Sequence, residues 1–381
     1  MKYIPFHKPS IPASAIEGLK QVIDSGWITT GKKVQRLESS IAKIIGAKYT
    51  VAVSSGTAAL HLAYLAAGIG RGDEVIVPSY TFCSTINAIL HTGARPVFCD
   101  IQEDTLCLDP KDVEKRITRK TKAIVVVHFA GLPANLDEIN NLARQHNLVI
   151  VEDAAHAFLT KYKGKYVGSG KNLTCFSFYA TKNLTTAEGG LVVCPNLETA
   201  NYVRMMSLHG ISKNAWKRYQ KTGSWKYDVL FPGLKYNLSD IHAAIGLAQV
   251  PLAGKAHVTR VRLAKLYKQL LSHNPNLILP AEPVHPTSEH AWHLFVVRVQ
   301  PSSRIGRDGL IEKLKSAGIG TSVHFIPNHQ QTLYKKLALN RQLPVTEKIF
   351  RQILSLPFYE NLSEKEVRRV CLTLNQLTYG K

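Results

Sequence analysis

Short apolar runs and longer amphipathic runs take turns along the first half of the chain. Val51-Ala-Val-Ser-Ser-Gly56 has the apolar content of a strand and ends in a turn, and residues 57–65 carry the apolar spacing of the helix that follows. The same alternation predicts strands at 74–77, 96–99, 123–128 and 149–152, with helices at 82–91 and 136–145. These strands are apolar almost without a break. A strand covered on one face alternates and a strand covered on both does not, so the pattern predicts an α/β fold with a mainly parallel central sheet and helices on both faces. Residues 189–194 add another strand and a hairpin beyond Lys182.

The pattern changes near residue 240. Residues 239–249 read as a long helix with Ser239 or Asp240 as its N-cap, and 258–271 continue the helical spacing. A strand at 292–299, a helix at 307–317, a short strand at 321–325 and helices near 346–354 and 363–377 follow. The expected division is a large domain at 1–250, including the N-terminal segment, and a smaller α+β C-terminal domain at 251–381. No internal repeat or low-complexity tract interrupts it.

A chain of 381 residues with 45% hydrophobic content can bury a large core, and its length favours two domains. The six cysteines have no C-x-x-C or zinc spacing, and several lie in apolar strand-like runs, which fits buried reduced thiols and predicts no metal site. With no secretory h-region at the start and no run of about 18 apolar residues, a soluble cytoplasmic protein is expected. The net charge of +21 is dispersed over 111–122, 161–171, 213–226, 255–268 and 298–315 rather than gathered into an arm. Dispersal favours a solvated surface, steering of polyphosphate substrates comes next, and nucleic-acid binding last.

Four places carry candidate chemistry. In Ser54-Ser-Gly-Thr-Ala-Ala59 a glycine permits close backbone approach and free amides at a helix start favour a phosphate; alone, it is equally a tight turn. Asp153 ends an aliphatic strand, where a carboxylate is costly unless a cation or several donors meet it, or else it caps the next turn. His156 either faces the same ligand or is satisfied by the backbone. Lys182 sits in a loop bracketed by Ser177, Thr181, Asn183 and Thr185 within an apolar, aromatic segment, the setting of a lysine tuned by desolvation. A strand-end aspartate followed by such a lysine, after a Ser-Gly-Thr turn, is what pyridoxal 5'-phosphate (PLP) chemistry needs: an amine for a Schiff base and a carboxylate that keeps the pyridine nitrogen protonated.

With these residues in view, the chain resembles the fold-type I PLP-dependent sugar-nucleotide aminotransferases of the DegT/StrS family over nearly its whole length. The resemblance is carried by Gly26-Trp-Ile-Thr-Thr-Gly31, Val53-Ser-Ser-Gly-Thr-Ala-Ala-Leu60, Gly72-Asp-Glu-Val-Ile-Val-Pro78 with Tyr80-Thr-Phe82, Glu152-Asp-Ala-Ala-His156, Phe176-Ser-Phe-Tyr-Ala-Thr-Lys182 with Glu188-Gly-Gly190, and Lys235-Tyr-Asn-Leu-Ser-Asp240. It implies that the Ser55-Gly56 turn, Thr57, the Ala58 amide and Ser177 hold the cofactor phosphate. Phe82 would stack on the ring, Asp153 would meet its nitrogen and Lys182 would form the aldimine; on its position three residues after Asp153, His156 would reach the phenolic oxygen or stack beside the ring. Asn237 would reach the cofactor of a second subunit, which implies a homodimer. Trp27 and Thr29 would line the acceptor-sugar site, and His324 and His329 would approach from the small domain. His156 stands where glutamine is commonest in the family. Together with His209-Gly-Ile, Trp216-Lys-Arg-Tyr-Gln-Lys, Tyr227-Asp-Val and Thr321-Ser-Val-His324-Phe, it resembles the branch that makes UDP-4-amino-4-deoxy-L-arabinose.

The expected reaction moves the amino group of L-glutamate to a keto-sugar nucleotide, with 2-oxoglutarate released and pyridoxamine phosphate formed between the two halves. A UDP-4-keto sugar is the first expectation for the acceptor; dTDP-3-keto and dTDP- or GDP-4-keto sugars are the alternatives, in lipopolysaccharide or deoxyamino-sugar biosynthesis. A PLP lyase or desulfurase would need a reactive, mobile cysteine. A DNA-binding regulator, prompted by the charge, would need a nucleic-acid motif, and no helix-turn-helix signal is present; neither nucleic acid nor membrane is expected as a partner.

Overall fold

The computed structural model describes residues 2–212, 226–337, 339 and 341–379, so the Trp216-to-Lys221 stretch of the branch resemblance lies outside the described residues. The apolar runs of the first half become β1 (Tyr49–Val53), β2 (Glu74–Pro78), β3 (Arg95–Cys99), β4 (Thr121–Val127), β5 (Val149–Asp153), β8 (Leu173–Ser177) and β9 (Gly190–Cys194), with the small hairpin β6 (Lys161–Tyr162) and β7 (Lys165–Tyr166) between. The seven long strands form one sheet in the order β1-β9-β8-β5-β4-β2-β3. β8, β5, β4, β2 and β3 run parallel, and β9 alone is reversed, pairing antiparallel with both β8 and β1.

Both faces are covered, as the unbroken apolar strands require. Val51, Val53, Val75, Val77, Val125 and Val151 pack on one face against helices Gly56–Ala66, Cys83–His91 and Leu197–Met206. Their neighbours Ala52, Ile76, Ile124, Val126 and Ile150 point to the other face, towards helices Lys32–Ile45 and Leu136–Gln145. This is the period-two alternation of a strand with an apolar partner on each side. Helix Gly56–Ala66 is itself buried all round from Ala58 to Tyr64, which explains why its apolar residues occupy every face.

A second sheet, β10 (Leu277–Ile278), β11 (Phe295–Val299) and β12 (Ile353–Leu356), is antiparallel throughout. Phe295, Val297 and Val299 of β11 face a core built with helices Ala253–Leu271, Arg307–Ser316 and Glu364–Thr378, and Ile4 from the N-terminus joins that core by pairing with Ile319. Leu294 and Val296 face the other way, into the core beneath β4.

Two expected elements differ. The strand expected at 321–325 is a single bridge between Ser322 and Ser355, because the chain leaves the sheet edge there and carries His324 and Phe325 towards the central cavity. The helix expected at 346–354 is Pro344–Gln352, and Ile353-Leu-Ser-Leu356 pairs with β11 instead, tertiary pairing overriding a helical spacing. Helices Ser14–Asp24, Lys32–Ile45 and Leu197–Met206 and strand β10 were not among the expected elements.

Candidate active site

The C-terminal ends of β5 and β8 and the start of helix Gly56–Ala66 surround a cavity of about 430 Å³. Ligands of open α/β sheets bind outside these strand ends. Asp153 is the last residue of β5 and is 5% exposed. Its Oδ2 accepts from Thr85 Oγ1 at 2.8 Å and its Oδ1 from the Ala155 amide at 3.1 Å. Thr81 lies 2.9 Å from Thr85, so the two hydroxyls form a chain that ends on the carboxylate. Burial pushes the Asp153 carboxyl above its ordinary range, against the opposing pull of these bonds and of Lys182.

Lys182 enters the cavity from the loop between β8 and β9, its amide donating to Tyr179 O at 2.9 Å. Protein encloses most of the side chain, and this desolvation lowers its pKa to about 8, with the Asp153 charge pulling the other way. A fraction of the amine is therefore neutral and nucleophilic near pH 7.

Opposite, Ser55 caps helix Gly56–Ala66, its side chain accepting from the Ala58 amide at 3.0 Å. The Ala58 amide, expected to face a phosphate, is thus engaged by Ser55. Gly56 matters for space: a Cβ there would stand 2.8 Å from the Ser177 Cβ, so only glycine lets the helix start and the end of β8 close on one point. Thr57 and Ser177 both line the cavity beside it.

His156 and His293 meet on another wall with ring centroids 4.4 Å apart. The Ala130 amide donates to His156 Nδ1 at 3.3 Å, and burial together with the Lys182 charge lowers the ring's pKa well below its ordinary value. A neutral ring that accepts at Nδ1 carries its hydrogen on Nε2, so His156 is a donor there. His324 also lines the cavity, with Nδ1 2.9 Å from Ser355 Oγ and a pKa lowered to about 4 by burial and Lys182. Phe82 is 56% exposed at the cavity rather than packed in a core.

The other expected residues lie elsewhere. His329 lines a separate hollow: its Nδ1 meets Ser79 Oγ at 2.8 Å and its Nε2 stands 3.4 Å from Glu347, so the ring lies off this chain's cavity. Trp27, Thr29 and Asn237 come together but do not line this chain's cavity. Asn237 Nδ2 donates to Thr30 Oγ1 at 2.7 Å, Trp27 Nε1 donates to Thr30 O at 2.9 Å, and the Asp240 amide donates to Thr29 O at 3.1 Å. Sequence reasoning missed Phe6, Thr81, Tyr179 and His293 on the cavity wall. Phe6 comes from a segment without periodicity and His293 from a strand-like apolar run, so neither gave a signal; Thr81 was visible beside Phe82.

The cysteines carry none of this chemistry. None of the six lines the cavity, five are buried, and burial pushes the Cys107, Cys194 and Cys371 thiols up to about 12. A desulfurase-type thiolate has no place here. No group of metal-ligating side chains is present among the described residues, and no described helix is long and apolar enough to cross a membrane.

The donor set fits PLP. A buried carboxylate awaits a cationic partner, a lysine of lowered pKa shares its cavity, and the glycine-lined gap between a helix start and Ser177 has the character of a phosphate cradle. Residues 9–375 match the DegT/DnrJ/EryC1/StrS aminotransferase family. The spore coat polysaccharide biosynthesis protein SpsC of Bacillus subtilis (strain 168) is 43% identical over 382 residues, covering 99% of this chain and 98% of SpsC. Spr1654 of Streptococcus pneumoniae, described as a sugar aminotransferase and solved in PMP and PLP forms, superposes with a TM-score of 0.92 for the PMP form at 34% identity, covering 98% of each chain. Helicobacter pylori PseC, an aminotransferase involved in the biosynthesis of pseudoaminic acid, gives 0.91 at 26% identity over 100% of each chain. With this cavity and these relatives, the chain belongs to the DegT/DnrJ/EryC1/StrS aminotransferase family and is a PLP-dependent sugar aminotransferase.

Proposed function

We propose that the enzyme takes the amino group of L-glutamate and delivers it to a keto-sugar nucleotide, a UDP-4-keto sugar in the first instance. The observation that carries the transfer chemistry is the meeting of Lys182 and Asp153 in one enclosed cavity, each with its pKa displaced by burial. A sugar acceptor is supported by the relatives named as sugar aminotransferases, and its nucleotide by the positive charge of +21, which favours approach of a diphosphate.

Bound PLP supplies the electron sink and carries the amino group between the two substrates. Lys182 Nζ would hold the cofactor between turnovers and, once free, would carry a proton to and from the donor carbon as general base and acid. Its pKa of about 8 suits both directions near neutral pH. Asp153 would keep the pyridine nitrogen protonated through its carboxylate, which Thr85 and the Ala155 amide orient by one bond to each oxygen. His156 offers Nε2–H to the phenolic oxygen. Ser55, Gly56, Thr57 and Ser177 would form the phosphate end, with the Ala58 amide holding the Ser55 side chain in place, and Phe82 would cover the ring.

We infer a homodimer in which Trp27, Thr29 and Asn237 serve the partner's site. What supports it is their position off this chain's own cavity, together with the exposure of Phe82 and Tyr179, 56% and 48%, at the cavity. His324 is assigned to the acceptor side.

The test loads the enzyme with pyridoxamine phosphate and offers a panel of 4-keto and 3-keto sugars on UDP, dTDP and GDP, watching the PLP absorbance return. Turnover should be fastest with UDP-4-keto sugars; silence across the panel sinks the sugar-nucleotide assignment. Separately, Lys182→Ala should lose transfer by about 10³-fold or more, as expected when a nucleophile and proton carrier is removed.

A further inference from the structure

Asn183 follows the reactive lysine and is gripped by a segment 108 positions along the chain. Its Nδ2 donates to the Ala291 carbonyl at 2.9 Å, and its Oδ1 meets His293 Nδ1 at 3.0 Å. A carbonyl only accepts, so the amide has one orientation, and the hydrogen between Oδ1 and Nδ1 must belong to the histidine. The segment that grips Asn183 is itself tied down. The Ala291 and His293 amides donate to Gly131 O and Ala130 O at 3.0 and 2.9 Å, and the Ala130 amide is the donor that fixes His156. Arg260, reaching from helix Ala253–Leu271, donates to Trp292 O at 3.2 Å. There is no slack at the crossing: a Cβ on Gly131 would stand 2.9 Å from His156 O and 3.1 Å from Ala291 Cβ.

One connected set of bonds thus runs from the Lys182 loop, through Asn183 and His293, to the turn that holds His156 and to the second core. We propose that the Asn183–His293 pair is a positioning latch that fixes where the Lys182 amine stands in the cavity, and that His293 serves in it through Nδ1. The latch rests on the assignment of Lys182 as the reacting amine. Without it, Ala291 O and His293 Nδ1 lose their partner, the loop relaxes, and water reaches the amine.

An asparagine side chain places its amide nitrogen where imidazole has Nδ1, and a glutamine places its amide where imidazole has Nε2. His293→Asn therefore preserves the latch, while His293→Gln and Asn183→Ala break it. Acetylation of Lys182 by acetic anhydride in the cofactor-free protein, followed by peptide mass against pH, reads the amine directly. Wild type and His293→Asn should share a midpoint near the wild-type value of about 8. Asn183→Ala and His293→Gln should shift it upward by about one unit and lower kcat by about tenfold, with KM within about twofold, as misplacement of a reacting group does. An unmoved midpoint and rate in Asn183→Ala overturn the latch. So does a His293→Asn variant as impaired as His293→Gln, because both lose the ring and its packing alike. If Lys182→Ala retains transfer, the lysine assignment falls and the latch with it; if Lys182→Ala is inactive while the latch variants match wild type, only the latch falls.

Discussion

Lys182 and Asp153 are held in states that the folded protein disfavours, and burial is the first cause for both. For Lys182 the sign follows from proton counting. The folded pKa is about 8 against 10.5 for the ordinary side chain, so between these values the unfolded chain holds a proton that the folded chain has lost, and stability rises with pH across that window. Below pH 8 the buried ammonium costs the fold in full. Lys182→Met should therefore stabilise the cofactor-free protein at pH 7 by about 1–3 kcal/mol in denaturant melts, at roughly 1.4 kcal/mol per pKa unit, with the advantage fading from pH 8 to 10.5. An equal gain at all pH values would refute burial of the ammonium as the cause. Both residues were legible in the sequence because each ends or interrupts an apolar run, where a charge needs a reason. His293 and Phe6 were not, because contacts between distant segments put them on the cavity wall.

At the scale of elements, the sheet was legible and its fastenings were less so. The unbroken apolar strands predict two covered faces, and the glycine at 56 predicts a close approach, which turns out to be to Ser177. What periodicity does not contain is a cap supplied from far along the chain. Asp240 accepts from the amides of Gly31, Lys33 and Val34 at 2.8, 3.1 and 2.9 Å, and so caps helix Lys32–Ile45, which has no side-chain cap of its own at Gly31. Local spacing marks Asp240 only as a cap of the helix it starts. Asp240→Ala leaves these amides unpaired and should cost about 2–3 kcal/mol, more than an ordinary exposed cap. Chemical denaturation measures it; a cost below about 0.5 kcal/mol would show that solvent replaces the carboxylate. The strand at 353–356 escaped for the converse reason: its first two residues fall at the end of the expected helix, and pairing with β11 makes the segment a strand.

Across the whole molecule, β11 belongs to two interiors. Its odd-numbered residues face the core of the second sheet, while Leu294 and Val296 face the core beneath β4. Ile353 and Leu354 of β12 divide in the same way. The sequence pattern leads to the expectation of a large and a small domain, but a strand pattern read along one dimension does not say that one strand serves two interiors. The consequence concerns heat. Because neither interior can be exposed without stripping a wall from the other, the polypeptide offers no seam for piecemeal melting. Scanning calorimetry of the cofactor-free enzyme should record one endotherm, and Val296→Ala should lower it as a single peak. Two resolved peaks would mean that the bodies melt independently; one peak would mean that damage far from the cavity, at either core, lowers the survival of the whole enzyme on warming.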